Sequence, residues 1–329
     1  MGKLVRMADV AQKLGISVVS VSKALAGKEG VSDEMRARII QTAKELGYVA
    51  PVRTKEKQES SGTIGIVVAD RFFSDNTFYA NLYRLVVMQC AALGYSAVLE
   101  IVEPEFERSC QMPNFLVNKR VDGLIFMGEI SHTYLQTATS YNLPYMLLDF
   151  YVDQFTADCV VSSNVEGGWV LTNHLLQTGR RQIGFVGSIL STTSIMDRYL
   201  GYVKAQLQAG ITPRDDWRLE DRDASGRFIP IKLPEEMPQA FVCSCDEVAF
   251  NLMEMLKRRG YSIPRDVAIT GYDDFVFATV ASPRLTTYKV DTERMAKAVV
   301  AQLHRKIRKK ALLVNHSVIG GQMIRREST

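Results

Sequence analysis

Five cysteines in 329 residues, at positions 90, 110, 159, 243 and 245, are few, odd in number and scattered. They exclude a disulfide framework and suit a reducing compartment, so a cytoplasmic chain is expected. Cys243 and Cys245 form a lone C-x-C, read as core thiols on one face of a strand. The four histidines, at 132, 174, 304 and 316, have no ligand spacing. No metal site and no cofactor are expected. There is no run of eighteen apolar residues, so no membrane span is expected. The N-terminus has no signal-peptide core, because Lys3, Arg6 and Asp9 interrupt it. Catalytic motifs are missing as well. There is no G-x-S-x-G elbow, no G-x-x-x-x-G-K-[ST] loop, no H-E-x-x-H and no G-x-G-x-x-G after a strand. No nucleophile–base pair can be nominated, and an enzyme is not expected.

Charge of one sign is scarce except at one end. The net charge is +4. Residues 1–60 carry 11 Lys/Arg against 7 Asp/Glu, which accounts for all of it, since the remainder holds 29 of each. Attraction to phosphate, with salt-dependent affinity, fits that segment. The same segment has helix-turn-helix spacing. A helix over about Met7–Leu14 places Val10, Ala11 and Leu14 on one face. Gly15 occupies a turn that needs positive φ, and Ile16 plugs it. Ser17 caps a second helix running to about Ala26. Such a second helix enters the major groove of DNA. Ser32 caps a third helix ending at Gly47, with Met35, Ile39, Ile40, Ala43 and Leu46 as its apolar face. Residues 1–49 are therefore an all-α headpiece, and polar residues 50–62 (50–62 includes Arg53) are a linker.

From Thr63 the pattern becomes alternating strands and helices, the signature of open parallel sheets covered on both faces. Strands are expected at TIGIVVA, YSAVLEIV, DGLIFM and PYMLL. Helices are expected near 77–93, 105–117 and 131–141. A second series starts at DCVVS and continues through RQIGFVGS, AFVCSC and VAITGYDD. Helices start at Val165, Ser194 and Glu247. Some ten strands exceed one such sheet, so the core at 63–329 is expected to contain two doubly wound subdomains. The first takes about 63–161 plus 291–317, and the second about 162–290 plus 318–329. Residues 218–235 fit no element.

Ligands of open α/β sheets bind at the carboxyl ends of strands. Those ends carry Asp70, Phe72, Phe73, Glu129, Asp149, Asn164, Ser188, Cys245, Asp246, Tyr272 and Asp273, with Arg198 one turn into a helix. Carboxylates and an arginine make bidentate hydrogen bonds to hydroxyls, and aromatic rings cover apolar C–H faces. The mix suits a neutral polyhydroxy ligand. Asn164 and Asp246 have an alternative reading as helix caps.

DVAQKLGIS with VSVSKAL, VSDEMRARI with AKELGY, NTFY, KRVDGLI, DRYLGY, CDEVA, and GYDD with SPRLTTY recur here in fixed order. In these the chain resembles the lactose/galactose-repressor family of bacterial transcription regulators over nearly its whole length. The resemblance implies a DNA-reading headpiece, a hinge and a core like periplasmic sugar-binding proteins. It also implies a homodimer on palindromic operator DNA in the bacterial cytoplasm, associated with the nucleoid. A small effector, usually a sugar, would change operator affinity. Carried over by position, Val18 and Val19 take the first base-reading places, with Ser22 and Lys23 one turn on. Arg6, Ser17, Ser20 and Arg53 complete the DNA-facing set. Two valines suggest contact with thymine methyls. Asp149, Arg198 and Asp273 match the main sugar-contacting positions, Asp70, Phe72, Phe73 and Phe78 line the mouth, and Cys245 stands where an amide is common. The purine-binding branch shares the aromatic pair but has a cationic contact ahead of Arg198, which LSTTSIMD lacks, so a sugar is favoured over a purine. A solute-binding protein is the other alternative, opposed by the headpiece. The hinge departs from the family's P-N-x-x-A-R-x-L and has no wedging leucine. Without terminal heptads a dimer is expected.

Overall fold

The computed structural model describes residue 5 and residues 7–25, 30–46, 62–73, 77–152, 157–309 and 316–329. Arg6, Arg53 and nearly all of the linker lie outside the described residues. The chain divides into two compact units, Met1–Glu59 and Ser60–Thr329.

The first unit contains α1 (Met7–Leu14), α2 (Val18–Leu25) and α3 (Asp33–Glu45). Val10, Ala11, Val21, Ala24, Ile39 and Ala43 form its core. Gly15 has φ +65°, and the Ile16 N–H donates to the Ala11 carbonyl, which turns the chain sharply between α1 and α2. The Ser17 hydroxyl accepts from the Ser20 N–H at 3.1 Å and Ser32 accepts from the Met35 N–H, so both serines cap. Arg36 Nη1 donates to the Ala24 carbonyl at 3.3 Å, closing the C-terminal end of α2. Ile40 differs from the expected apolar face and is exposed. Ile39 and Ala43, four residues apart, already point inward, and Ile40 stands a further 100° round the helix.

The second unit holds β1 (Thr63–Ala69), α4 (Asp70–Phe73), α5 (Thr77–Ala92), β2 (Ser96–Val102), α6 (Pro104–Ser109), α7 (Asn114–Val117) and β3 (Gly123–Met127). It continues with α8 (His132–Thr139), β4 (Tyr145–Leu148), β5 (Cys159–Ser162), α9 (Asn164–Gln177), β6 (Ile183–Val186) and α10 (Thr193–Gln208). After these come β7 (Arg218–Leu219), β8 (Ala240–Cys243), α11 (Asp246–Arg258), β9 (Ala268–Asp273) and α12 (Val276–Val280). It finishes with β10 (Thr286–Lys289), α13 (Thr292–Ile307), β11 (His316–Ile319) and β12 (Gln322–Ile324).

Two six-stranded sheets result, ordered β11-β5-β4-β3-β1-β2 and β12-β10-β9-β8-β6-β7. Every pairing in the first sheet is parallel, and in the second only β12 runs antiparallel, against β10. Central strands such as β3 and β8 are buried at every position, which is why they read as unbroken apolar runs. The chain passes between sheets repeatedly. α9 leaves β5 of the first sheet and packs on the second, while α13 leaves β10 of the second and packs on the first.

Three expectations change. DCVVS does not open the second series. It is β5, paired with β4 and β11 in the first sheet, because the crossover follows it rather than precedes it. The single helix expected over 105–117 is two, since Cys110 takes φ +54° and Pro113, with no N–H to donate, starts a new one. Residues 218–235 supply β7 and then a hairpin in which Arg222 pairs with Phe228.

Candidate functional site

On the headpiece, Val21 and Ala24 turn α2 inward, which leaves Val18 and Val19 on its outer face, 47% and 64% exposed. Lys23 is exposed beside them, Ser17 and Ser20 share a hydrogen bond of 2.9 Å, and Ser22 is half-buried. An apolar pair left in water on a folded helix has no packing role, which makes this face available to a partner.

In the core, the carboxyl ends of strands from both sheets meet around a cavity of about 420 Å³. Asp149 follows β4 in the first sheet, Asp273 ends β9 in the second, and Arg198 reaches in from the second turn of α10; all three lie on its wall. Asp149 and Asp273 have φ values of +70° and +112°. Left-handed backbone at a non-glycine residue is strained, and here it stands where a β-strand ends and both carboxylates turn into the cavity.

Arg198 is held on several sides. Nε donates to Asn164 Oδ1 at 3.0 Å and Nη1 to the Ser244 carbonyl at 2.6 Å. Nη2 is 3.7 Å from Asp273 Oδ1. The guanidinium lies over the Tyr272 ring, 3.8 Å from its centroid. Burial pulls its pKa down, but Asp273, Tyr272 and Asp149 outweigh burial and raise it, so it stays charged. Burial raises Asp149, although Arg198 and the Tyr79 hydroxyl, which donates to Oδ2 at 2.8 Å, oppose this. Asp273 is pushed up to about 7 by burial, against the pull of Arg198 and with Asp149 adding to the rise. The other oxygen of Asp149, Oδ1, is buried with no hydrogen-bond partner among the described residues. A buried acceptor without a partner is uncommon and marks a place where a ligand donor fits.

Phe72, Phe78 and Phe228 add apolar wall, and Asp70 and Cys245 stand on it too. Burial raises the Cys245 thiol to about 12, so it is a neutral group there. Phe73 differs: it is off the cavity wall and meets Tyr83 edge-on at 6.0 Å, because consecutive residues of α4 diverge by 100°. Asn164 and Asp246 are not ligand-facing. Asn164 positions Arg198, and Asp246 accepts from the Phe275 N–H and the Thr287 hydroxyl, with burial and then Asp273 driving its pKa well up.

Tyr79, Ser244 and the hairpin residues Arg222 and Phe228 belong to the site and were not read from sequence, and Tyr272, read at a strand end, proves to lie under Arg198. Tyr79 sits inside NTFY, whose aromatic positions were the signal to follow. Cross-links span the two sheets at the cavity edge. Glu129 Oε2 accepts from the Thr193 N–H at 2.8 Å, Tyr151 donates to Asp197 at 3.0 Å, and Phe78 meets Phe275 with ring centroids 5.5 Å apart.

Residues 6–50 match the bacterial regulatory proteins of the lacI family, and residues 172–329 match the periplasmic binding protein-like domain. The "HTH-type transcriptional repressor PurR" of Glaesserella parasuis is 26% identical over 305 residues, 91% of this chain and 89% of the relative. The "Ribose operon repressor" of Haemophilus influenzae is 28% identical over 307 residues, 92% of each. Among solved structures, a complex of the transcriptional regulator CelR with cellobiose matches with TM-score 0.71 at 23% identity, over 99% of this chain and 100% of that one. The lac repressor dimer bound to operator and the anti-inducer ONPF matches with TM-score 0.69 at 22% identity, over 99% of both. With a helix-turn-helix headpiece ahead of a two-sheet, periplasmic-binding-protein-like core, the chain belongs to the lacI family of bacterial regulatory proteins.

Proposed function

We propose that the ligand to which this DNA-binding repressor responds is a sugar, held between Asp149, Arg198 and Asp273. The observation that carries this is the unpartnered Asp149 Oδ1 in a cavity where the Arg198 guanidinium and the Asp273 carboxylate stand on the same wall, with Asp70, Arg71, Arg222 and the hydroxyls of Thr192 and Ser194 around them. Hydroxyl groups of a ligand donate to the carboxylates and accept from the guanidinium. Phe72, Phe78 and Phe228 supply faces for the C–H side of the ring. The operator is duplex DNA, read by α2 through Val18 and Val19, with Arg6, Ser17, Ser20, Ser22, Lys23 and Arg53 positioning on phosphates. Two copies of the chain bind one palindromic site. The reading involves no catalysis.

A purine is the second reading, supported by the relatives named as purine repressors. The aromatic pair shared with the purine-binding branch does not stand together on the cavity wall, which holds Phe72 and not Phe73. The sugar reading therefore leads.

Thermal shift of the intact protein against sugars and purine bases tests this. A ligand at a hundred times its Kd adds about 2.7 kcal/mol to the folded state. A sugar that raises Tm, fails to do so in Asp149→Ala and changes operator affinity in a gel shift supports the proposal. A purine that does the same overturns the sugar and keeps the regulator.

A further inference from the structure

Next to the effector cavity lies a larger one, of about 1030 Å³. Asp70, Arg71, Arg222, Gly226 and Arg227 line both, so the two adjoin at Arg71 and the hairpin. The hairpin is fixed from below. Asp221 is buried and accepts from the Ser188 N–H at 2.7 Å and from the Ser244 hydroxyl at 3.0 Å. The Ser188 hydroxyl accepts from the N–H groups of Asp221 and Arg222. Arg222 pairs with Asp221 and covers the Phe228 ring at 4.5 Å. Segment 221–228 is therefore tied to the ends of β6 and β8 and forms a built wall.

The outer chamber carries dense charge of both signs. Five arginines line it: Arg71, Arg108, Arg218, Arg222 and Arg227. So do five carboxylates: Asp70, Glu107, Glu129, Glu220 and Asp223. Hydroxyls of Ser131, Thr133, Ser188, Ser191 and Ser225 stand between them. Arg218 Nε is buried with no hydrogen-bond partner among the described residues, a donor awaiting an acceptor oxygen. A phosphate or carboxylate ligand would meet as many anions as cations. A neutral polyol does better, because each hydroxyl donates to a carboxylate and accepts from a guanidinium.

We infer that the effector is a disaccharide or longer oligosaccharide, with one ring in the inner cavity and the next in the outer chamber beside the 221–228 hairpin. This rests on the sugar reading above and narrows it. The hairpin then becomes the element that selects linkage and chain length.

Isothermal titration of the full chain tests it, using glucose, galactose, mannose and xylose, their β-1,4- and α-1,4-linked disaccharides, glucose 6-phosphate and hypoxanthine. The expected result is one disaccharide bound about tenfold or more tighter than its constituent monosaccharide. The double variant Arg218→Ala/Glu220→Ala is expected to shrink that ratio several-fold, with Tm and operator binding kept as evidence of folding. Equal affinity for monosaccharide and disaccharide overturns the inference and leaves the sugar reading standing. Tighter binding of glucose 6-phosphate overturns it in favour of an anion. Binding of hypoxanthine alone, or of no sugar, overturns the sugar reading and this inference together.

Discussion

Arg198 stacks on Tyr272 at 3.8 Å while its Nη1 donates to the Ser244 carbonyl, so one guanidinium joins α10, β9 and the turn after β8. It is also the counter-charge for Asp149 and Asp273. Structure and ligand binding thus depend on the same side chain.

Arg198→Met keeps much of the bulk and removes the charge. Two buried carboxylates are then left without their cation, a loss of roughly 3–5 kcal/mol. Urea denaturation should show that drop, and the Tm rise with effector should disappear. A variant that is as stable as the parent would show that Asp149 and Asp273 do not need Arg198.

The effector-free protein should lose stability as pH rises through about 7, the value to which burial pushes Asp273. The folded carboxyl keeps its proton up to there, whereas the unfolded chain releases it in the ordinary carboxylate range. Between those limits the folded state binds more protons, so stability is greatest at the acid end of the window and falls with rising pH. Asp273→Asn should flatten the slope. Denaturation midpoints of both proteins measured from about pH 5 to 8 give the comparison.

Gly168 and Gly201 let α9 and α10 meet backbone to backbone. A Cβ on Gly168 would lie 2.1 Å from the Arg198 carbonyl oxygen, and one on Gly201 2.1 Å from that of Val165. Gly168→Ala therefore has to push the helices apart, which costs about 1–3 kcal/mol and moves Arg198. Both Tm and effector affinity should fall, and a fall in Tm alone would show that the helix pair does not position Arg198.

Val19→Ala should weaken binding mainly at operators with thymine opposite this residue, by up to about 1.6 kcal/mol for two CH₂ equivalents at roughly 0.8 kcal/mol each. Lys23→Ala should act on all operators alike and lower the salt slope by about 1. Fluorescence anisotropy on an operator series at several salt concentrations separates the two. A uniform loss from Val19→Ala would remove it from base reading.

Much of this was legible in the sequence. Buried parallel strands such as Gly123–Met127 announce themselves as apolar runs, and Ser17, Gly15 and Ser32 mark the headpiece turns by local chemistry alone. Asp149, Arg198 and Asp273 followed from strand ends and from family resemblance, and the fold brings them to one cavity. What escaped depends on contacts between distant residues. Nothing near Tyr272 reveals that an arginine 74 residues earlier will lie on its ring. Nothing in 218–235 shows that Asp221 will be anchored by Ser188 and Ser244. Phe73 lies off the cavity wall for a local reason, since in a helix consecutive residues point about 100° apart and a strand-end reading treats them as a pair.

The strands that complete the two sheets, β11 and β12, lie only three residues apart, at 316–319 and 322–324, after every other element of the core. Ser328, buried behind them, donates to the Ile269 carbonyl and accepts from the Thr286 N–H. A chain emerging from the ribosome can therefore close neither sheet until nearly all of it has been made. The edge of β5, made by residue 162, stays open to other strands through nearly half of synthesis, whereas that of β10 waits only from residue 289 until its partner follows.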